Sequence, residues 1–221
     1  MFTTATMRVR SNFKENTLLQ ILIALYLCIW IITAINPLYF TDWVLENILV
    51  VVFVSGLIIT YRFFPLSDLS YIVLTLFMIL HSIGAHYTYA EVPIGFWMKE
   101  TFDFSRNHFD RVVHFSFGLL MAYPIREVFL RLANARGFWM YYFPLDVTLS
   151  FSALYEIIEM LVAKIVSSEA GDAYLGTQGD PWDGIMDMSC AFVGAMICMV
   201  MVGLLRRLFH KGPELLAGDI A

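Results

Sequence analysis

The stretch GDPWDGIMDMSCAFVGA, Gly179 to Ala195, sends three aspartates straight into an apolar run. Asp180, Asp183 and Asp187 stand three and four residues apart, so on a helix of about 3.6 residues per turn they share one face. Carboxylates that enter a hydrocarbon layer have to be met by partners. Their partners are expected among other polar residues of the chain that reach the same depth.

The composition names the solvent. Of 221 residues, 59% are hydrophobic and only 15% charged, outside the range of soluble domains. A core that large would leave too little polar surface to cover it, so a bilayer is expected around most of the chain, with residues 1–221 forming one membrane domain. The net charge of -5 speaks against a nucleic-acid partner, which would want a basic face, and membrane lipids are the expected partners. Cys28, Cys190 and Cys198 lie in apolar runs without metal-like or disulfide-framework spacing and read as small buried hydrophobes. The first apolar run follows Arg8, Arg10 and Lys14 as a signal peptide would. It is long and bulky, however, and Asn36-Pro37-Leu38-Tyr39 offers no small-x-small cleavage site, so a retained first span is expected.

About 20 mainly apolar residues cross a bilayer as a helix. The runs separate into six, near Leu18–Ile35, Val44–Tyr61, Leu69–Ala85, Phe109–Leu130, Phe138–Val166 and Asp183–Leu205. The expectation is an all-α polytopic protein with six transmembrane helices. Pro144 allows the fifth helix either to begin around it or to kink there. With the N-terminus inside, Arg8, Arg10, Lys14, Arg62, Arg126, Arg131, Arg136, Arg206, Arg207 and Lys211 fall on the inner side, and Lys99, Arg106, Arg111 and Lys164 on the outer. That bias places both termini in the cytoplasm. Two outer connections stand out. Tyr87–His108 is long and aromatic and reads as an interfacial segment or re-entrant cap, while Ser167–Trp182 is rich in glycine and acid, with Glu169, Asp172 and Asp180.

In this topology the third and fifth helices run outward and the fourth and sixth inward. Polar residues late in the first pair and early in the second share the outer half of the membrane. Asp110 and His114 are four apart, Glu156 and Glu159 three apart, and Asp183 and Asp187 four apart, so each pair projects from one helical face. Intramembrane ionisable groups are costly and mark a function or a pairing partner. The acids Asp110, Glu156, Glu159, Asp183 and Asp187 outnumber Arg111 and a protonated His114, which calls for an external cation, a bound proton or a ligand amine. A divalent cation of the magnesium, manganese or zinc kind suits a set drawn from Asp110, His114, Glu156, Asp183 and Asp187, and could activate water or polarise a phosphoryl oxygen. Alternatively, Glu156 and Glu159 stand protonated and donate hydrogen bonds. The bland reading is helix glue, with His114 bonded to Glu156 or Glu159.

His81 and His86, five apart, lie on different faces and read as ordinary helix-end histidines. Asn107-His108 reads either as a head-group contact or as a solvated helix start. Gly184 and Gly194, with Ala191 and Ala195, are expected to let helices approach closely. Asp180-x-x-Asp183-Gly184 matches the first residues of the lipid phosphoalcohol transferase motif, but Asp187-Met188 stands where Ala-Arg should follow. There is no phosphate-binding glycine loop with lysine and no serine nucleophile elbow.

Asp110-Arg111-Val112-Val113-His114-Phe115, Tyr155-Glu156-x-x-Glu159 and Gly179-Asp180-Pro181-Trp182-Asp183-x-x-x-Asp187 closely resemble the YjdF-like family of bacterial inner-membrane proteins, across the whole membrane core. More distantly the chain looks like VanZ-like proteins, with their Asp-Lys-x-x-His-Phe helix start, Glu-x-x-Gln helix and Asp-x-x-x-Asn helix. By that match Asp110, His114 and Glu156 fall on the first two motifs and Asp183 with Asp187 on the last. Arg111 replaces a lysine, Glu159 a glutamine and Asp187 an asparagine, which makes this site more acidic. The VanZ-like resemblance implies a role in the cell envelope.

The expected protein is thus a multi-pass inner-membrane protein with an acidic, histidine-containing cavity facing the outer leaflet. It binds or modifies an envelope lipid or its head group, with a divalent metal ion as a candidate cofactor. Asp110, His114, Glu156, Glu159, Asp183 and Asp187 are the candidate catalytic residues, and Arg111 and Asp180 the candidate substrate contacts. The rivals are a proton-coupled transporter, which needs polar residues along inner halves that read as nearly pure hydrocarbon, and a purely structural or partner-binding protein.

Overall fold

The computed structural model describes residues 12–166 and 176–209; Arg8, Arg10, Glu169, Asp172 and Lys211 lie outside the described residues. A short 3-10 turn, Phe13–Glu15, leads into seven α-helices among the described residues: α1 Thr17–Thr33, α2 Phe40–Tyr61, α3 Asp68–Tyr87, α4 Pro93–Phe102, α5 Phe109–Leu132, α6 Trp139–Ile165 and α7 Asp183–Phe209. Six of them fall on the six apolar runs. Of these, α2, α3 and α7 are long and apolar enough to cross a membrane, and α1 is apolar but only 17 residues long. Charges set α5 and α6 apart: Asp110, Arg111, Arg126, Glu127 and Arg131 interrupt the first, and Asp146, Glu156, Glu159 and Lys164 the second. The seventh helix, α4, occupies the long Tyr87–His108 connection, starting at Pro93, whose fixed φ and missing N–H suit a first helical position.

Side-chain oxygens fix several helix starts by accepting otherwise unpaired backbone N–H groups: Asn16 from Leu19 before α1, and Ser67 from Ser70 before α3. The sixth helix begins before Pro144 and carries that proline inside, as α5 carries Pro124.

The bundle is arranged around α5, which packs against α7 along much of its length and against α6 and α3 on its other sides; α1 rests on α3, and α2 reaches the bundle chiefly through α3. Small residues allow the α5–α7 approach. Ala122, Ala191 and Ala195 are fully buried at that seam, and Gly118 lies directly against the Ala191 carbonyl and Gly194 against that of Phe115. Gly184 serves differently from the close-packing role expected of it, since a Cβ there would stand 2.6 Å from Glu156 Oε2. It makes room for a carboxylate rather than for a helix.

The end of α5 distant from the aspartates departs from expectation. It is not pure hydrocarbon. Glu127 is fully buried and Arg126 nearly so, with Arg126 5.5 Å from the centroid of the Tyr141 ring.

Candidate functional site

The helix directions bring the three spaced acid pairs to one end of the bundle. His114, one turn after Asp110 on α5, has its Nε2 3.6 Å from Asp110 Oδ1 and 3.3 Å from Glu156 Oε1 on α6. Its Nδ1 lies 3.4 Å from Ser152 Oγ. Asp187 on α7 closes the group: one ligand atom each from Asp110, His114 and Asp187 all lie within 4.8 Å of one another. Asp187 is 2% exposed, and its Oδ1 has no hydrogen-bond partner among the described residues. Glu159 is buried nearby, within electrostatic reach of Glu156, Asp110 and Tyr155.

Asp180 and Asp183 belong to a second, charge-matched layer. Arg106 donates to Asp183 and lies 3.6 Å from Asp180. Arg111 donates to Asp180 Oδ2 at 2.6 Å and approaches Asp183 Oδ1 at 3.7 Å. Arg106, expected only as an outer basic residue, is 6% exposed and joins the α4–α5 connection to α7. The two arginines answer two aspartates. Among the described residues, Asp110, Asp187, Glu156 and Glu159 form no ion pair with lysine or arginine.

A further set of groups was missed. Glu46 on α2 is 2% exposed and accepts a hydrogen bond from Tyr155 OH at 2.9 Å. It also lies 4.0 Å from His81 Nε2, and His81 Nδ1 is 2.6 Å from Tyr89 OH. His81 is therefore a buried member of a chain joining α2, α3 and α6, not an ordinary helix end. His86 points elsewhere, its Nδ1 2.8 Å from the Thr33 carbonyl oxygen at the end of α1. Asp42 and Glu46, four apart at the start of an otherwise apolar run, carried the same spacing signal as the three acid pairs and were passed over. Asn107 is not solvated. It is fully buried, accepting from the Phe109 amide at 3.0 Å and donating to the Val92 carbonyl at 3.1 Å, which ties α5 to the start of α4.

Beside this cluster lies a cavity of about 530 Å³ between α2, α3, α5 and α6. Its wall is apolar, including Leu57, Leu66, Phe77, Phe117 and Val128, and His81, Tyr89, His114, Ser152 and Tyr155 line it at one end. It differs from the acidic cavity expected, because among the described residues no carboxylate lines it. The acids stand behind His114 and Tyr155.

Residues 18–208 match the protein family described as predicted membrane protein (DUF2238). The chain belongs to that family. It is also similar to the inner membrane protein YjdF of Escherichia coli (strain K12), 39% identical over 161 residues, which is 72% of this chain and 77% of the relative. No solved structure matches. Family, relative and apolar helices together make this YjdF-like chain a multi-pass protein of the inner membrane.

The turn before α7 gives this YjdF-like site a pH signature. The Trp182 amide, 3.0 Å away, and the Arg111 guanidinium both hold the Asp180 carboxyl below its ordinary value of 3.8. A carboxylate depressed in the folded state contributes stability above its unfolded pKa and loses that contribution as pH falls through the folded one. The unfolding temperature of the purified protein should drop below about pH 3.8, and should drop less steeply in Asp180→Asn. Identical profiles for the two proteins would show that these contacts do not couple Asp180 to folding.

Proposed function

We propose that the protein binds an envelope lipid, with an acyl chain in the apolar cavity and the polar part at the His114 and Tyr155 end, beside the carboxylates. The observation that carries this reading is the cavity itself, apolar along its wall and lined at one end by hydrogen-bonding side chains. Its volume falls within the usual range for small-ligand sites. From His114 to Val128, both of which line it, α5 rises about 20 Å. One leaflet contributes about 15 Å of hydrocarbon, so the cavity is long enough for a lipid chain. Six crossings with both termini cytoplasmic, the arrangement favoured by the basic residues, would set the polar end in the outer leaflet. The distant VanZ-like resemblance is consistent with an envelope lipid. Glu156 and Glu159, which form no ion pair with lysine or arginine among the described residues, favour a polar part that brings positive charge.

The test is lipid retention after purification in mild detergent, read by native mass spectrometry. Leu154 lines the cavity from an exposed position, so Leu154→Trp should fill space without disturbing the core. The wild-type protein should retain lipid, and Leu154→Trp should lose most of it. Leu76→Trp, at an exposed position outside the cavity, should retain as much as wild type. Equal retention in all three would overturn the reading. Transport is less well supported: the buried residues of α5 between His114 and Arg126 are Gly118, Met121, Ala122 and Pro124, which offer no titratable relay.

A further inference from the structure

We propose that Asp110, His114 and Asp187 form a binding site for a divalent cation of the zinc or manganese class. The inference rests on ligand geometry and charge and does not depend on the lipid reading. Ligand atoms about 2.1 Å from a tetrahedral ion lie about 3.4 Å from one another. His114 Nε2 is 3.6 Å from Asp110 Oδ1 and 3.3 Å from Glu156 Oε1, close to the separation of two ligands on one ion. The Asp187 carboxylate joins Asp110 and His114 within a 4.8 Å span.

Two further features point to a ligand. Asp187 is almost completely buried, yet its Oδ1 has no hydrogen-bond partner among the described residues, and an unpaired buried carboxylate oxygen carries a large desolvation cost. Ser152 Oγ, 3.4 Å from His114 Nδ1, is placed to accept a hydrogen bond from an Nδ1–H, the tautomer that leaves the Nε2 lone pair facing the carboxylates, as the outer partners of metal-bound histidines do. Charge agrees as well. Arg106 and Arg111 are engaged by Asp180 and Asp183, and a divalent ion would neutralise Asp110 and Asp187. One imidazole with carboxylates suits a borderline ion rather than calcium, which prefers oxygen ligands alone. Three protein ligands leave a fourth tetrahedral position, with Glu156 beside it.

The experiment uses the full chain in detergent, stripped with EDTA and titrated separately with zinc and manganese. Bound ion is counted by elemental analysis after desalting, and the unfolding temperature is recorded with and without metal. Wild-type protein should hold one ion per chain and unfold at a higher temperature when loaded, with EDTA reversing the shift. Asp187→Asn should abolish stoichiometric retention, and Ser152→Ala should weaken affinity by about 10- to 100-fold. Asp146→Asn, exposed on the same helix as Ser152, should behave as wild type. Absence of both retention and thermal shift in folded wild-type protein would overturn the site, as would equal binding by Ser152→Ala and Asp146→Asn, a comparison that holds even if Asp187→Asn does not fold. Lipid retention is scored separately on the same preparations, so loss of either reading is visible without the other.

Discussion

Replacing Glu127 by alanine is expected to remove roughly 3–5 kcal/mol of stability, the loss typical of breaking a buried charge pair from one side. Glu127 is completely buried. It accepts from the Ser67 amide at 2.9 Å, from Ser67 Oγ at 2.6 Å and from Ser70 Oγ at 2.5 Å, and Arg131 Nη1 donates to it at 2.5 Å. Arg131 also donates to the Pro65 carbonyl at 2.8 Å and lies 4.0 Å from the centroid of the Phe64 ring. One carboxylate therefore fastens the α2–α3 connection and the start of α3 to α5. Alanine would leave the buried Ser67 and Ser70 hydroxyls and the Ser67 amide without their acceptor and take the counter-charge from a half-buried Arg131. Glu127→Gln keeps the shape and should lose less. The check is thermal or denaturant unfolding in detergent, with Arg131→Ala completing a double-mutant cycle. A loss below about 1 kcal/mol would place the pair among exposed ion pairs of little consequence. Because Leu66 both adjoins this anchor and lines the cavity, lipid retention should fall along with stability.

Gly118→Ala should also destabilise, against the sign that helix propensity gives. In an open helix, alanine is better than glycine by up to about 1 kcal/mol. At Gly118 the added Cβ would run into the Ala191 carbonyl oxygen and stand 2.8 Å from the Ala195 amide nitrogen, so α7 itself would have to move. Neither obstacle is the end of a flexible side chain. Forcing volume into such a seam costs about 1–3 kcal/mol, and the displacement would reach Asp187, one turn before Ala191 on α7. Gly194→Ala, which would meet the Phe115 carbonyl, should behave alike, whereas Gly56→Ala has open space around it and should be neutral or mildly stabilising. Unfolding temperatures of the three variants decide the matter, and a stabilised Gly118→Ala would mean that the two helices are not held this closely.

Much of the site was legible because membrane helices give polar residues a depth as well as a face. Asp110 with His114, Glu156 with Glu159 and Asp183 with Asp187 were each recognisable from i, i+3 or i, i+4 spacing inside apolar surroundings. Arg106 was not, because it lies in a connection where no periodicity says which way a side chain points. Glu46 had the spacing but not the company: α2 meets the bundle mainly through α3, yet Glu46 reaches Tyr155 on α6, more than a hundred residues away. Glu127 lay beyond reach for a related reason, since its partners, Ser67 and Ser70, are about sixty residues away.

By itself the sequence determined the membrane as solvent, the positions of the six long helices and the helical faces that bear the acids. These follow from local composition and from the fixed repeat of a helix, which no distant contact can change. Only the tertiary structure decided which acids are matched by arginine, which share His114, and that the cavity beside them is apolar. Those outcomes depend on how closely helices pass, and that is set by side chains far apart in the chain, with the glycines and alanines between α5 and α7 foremost among them.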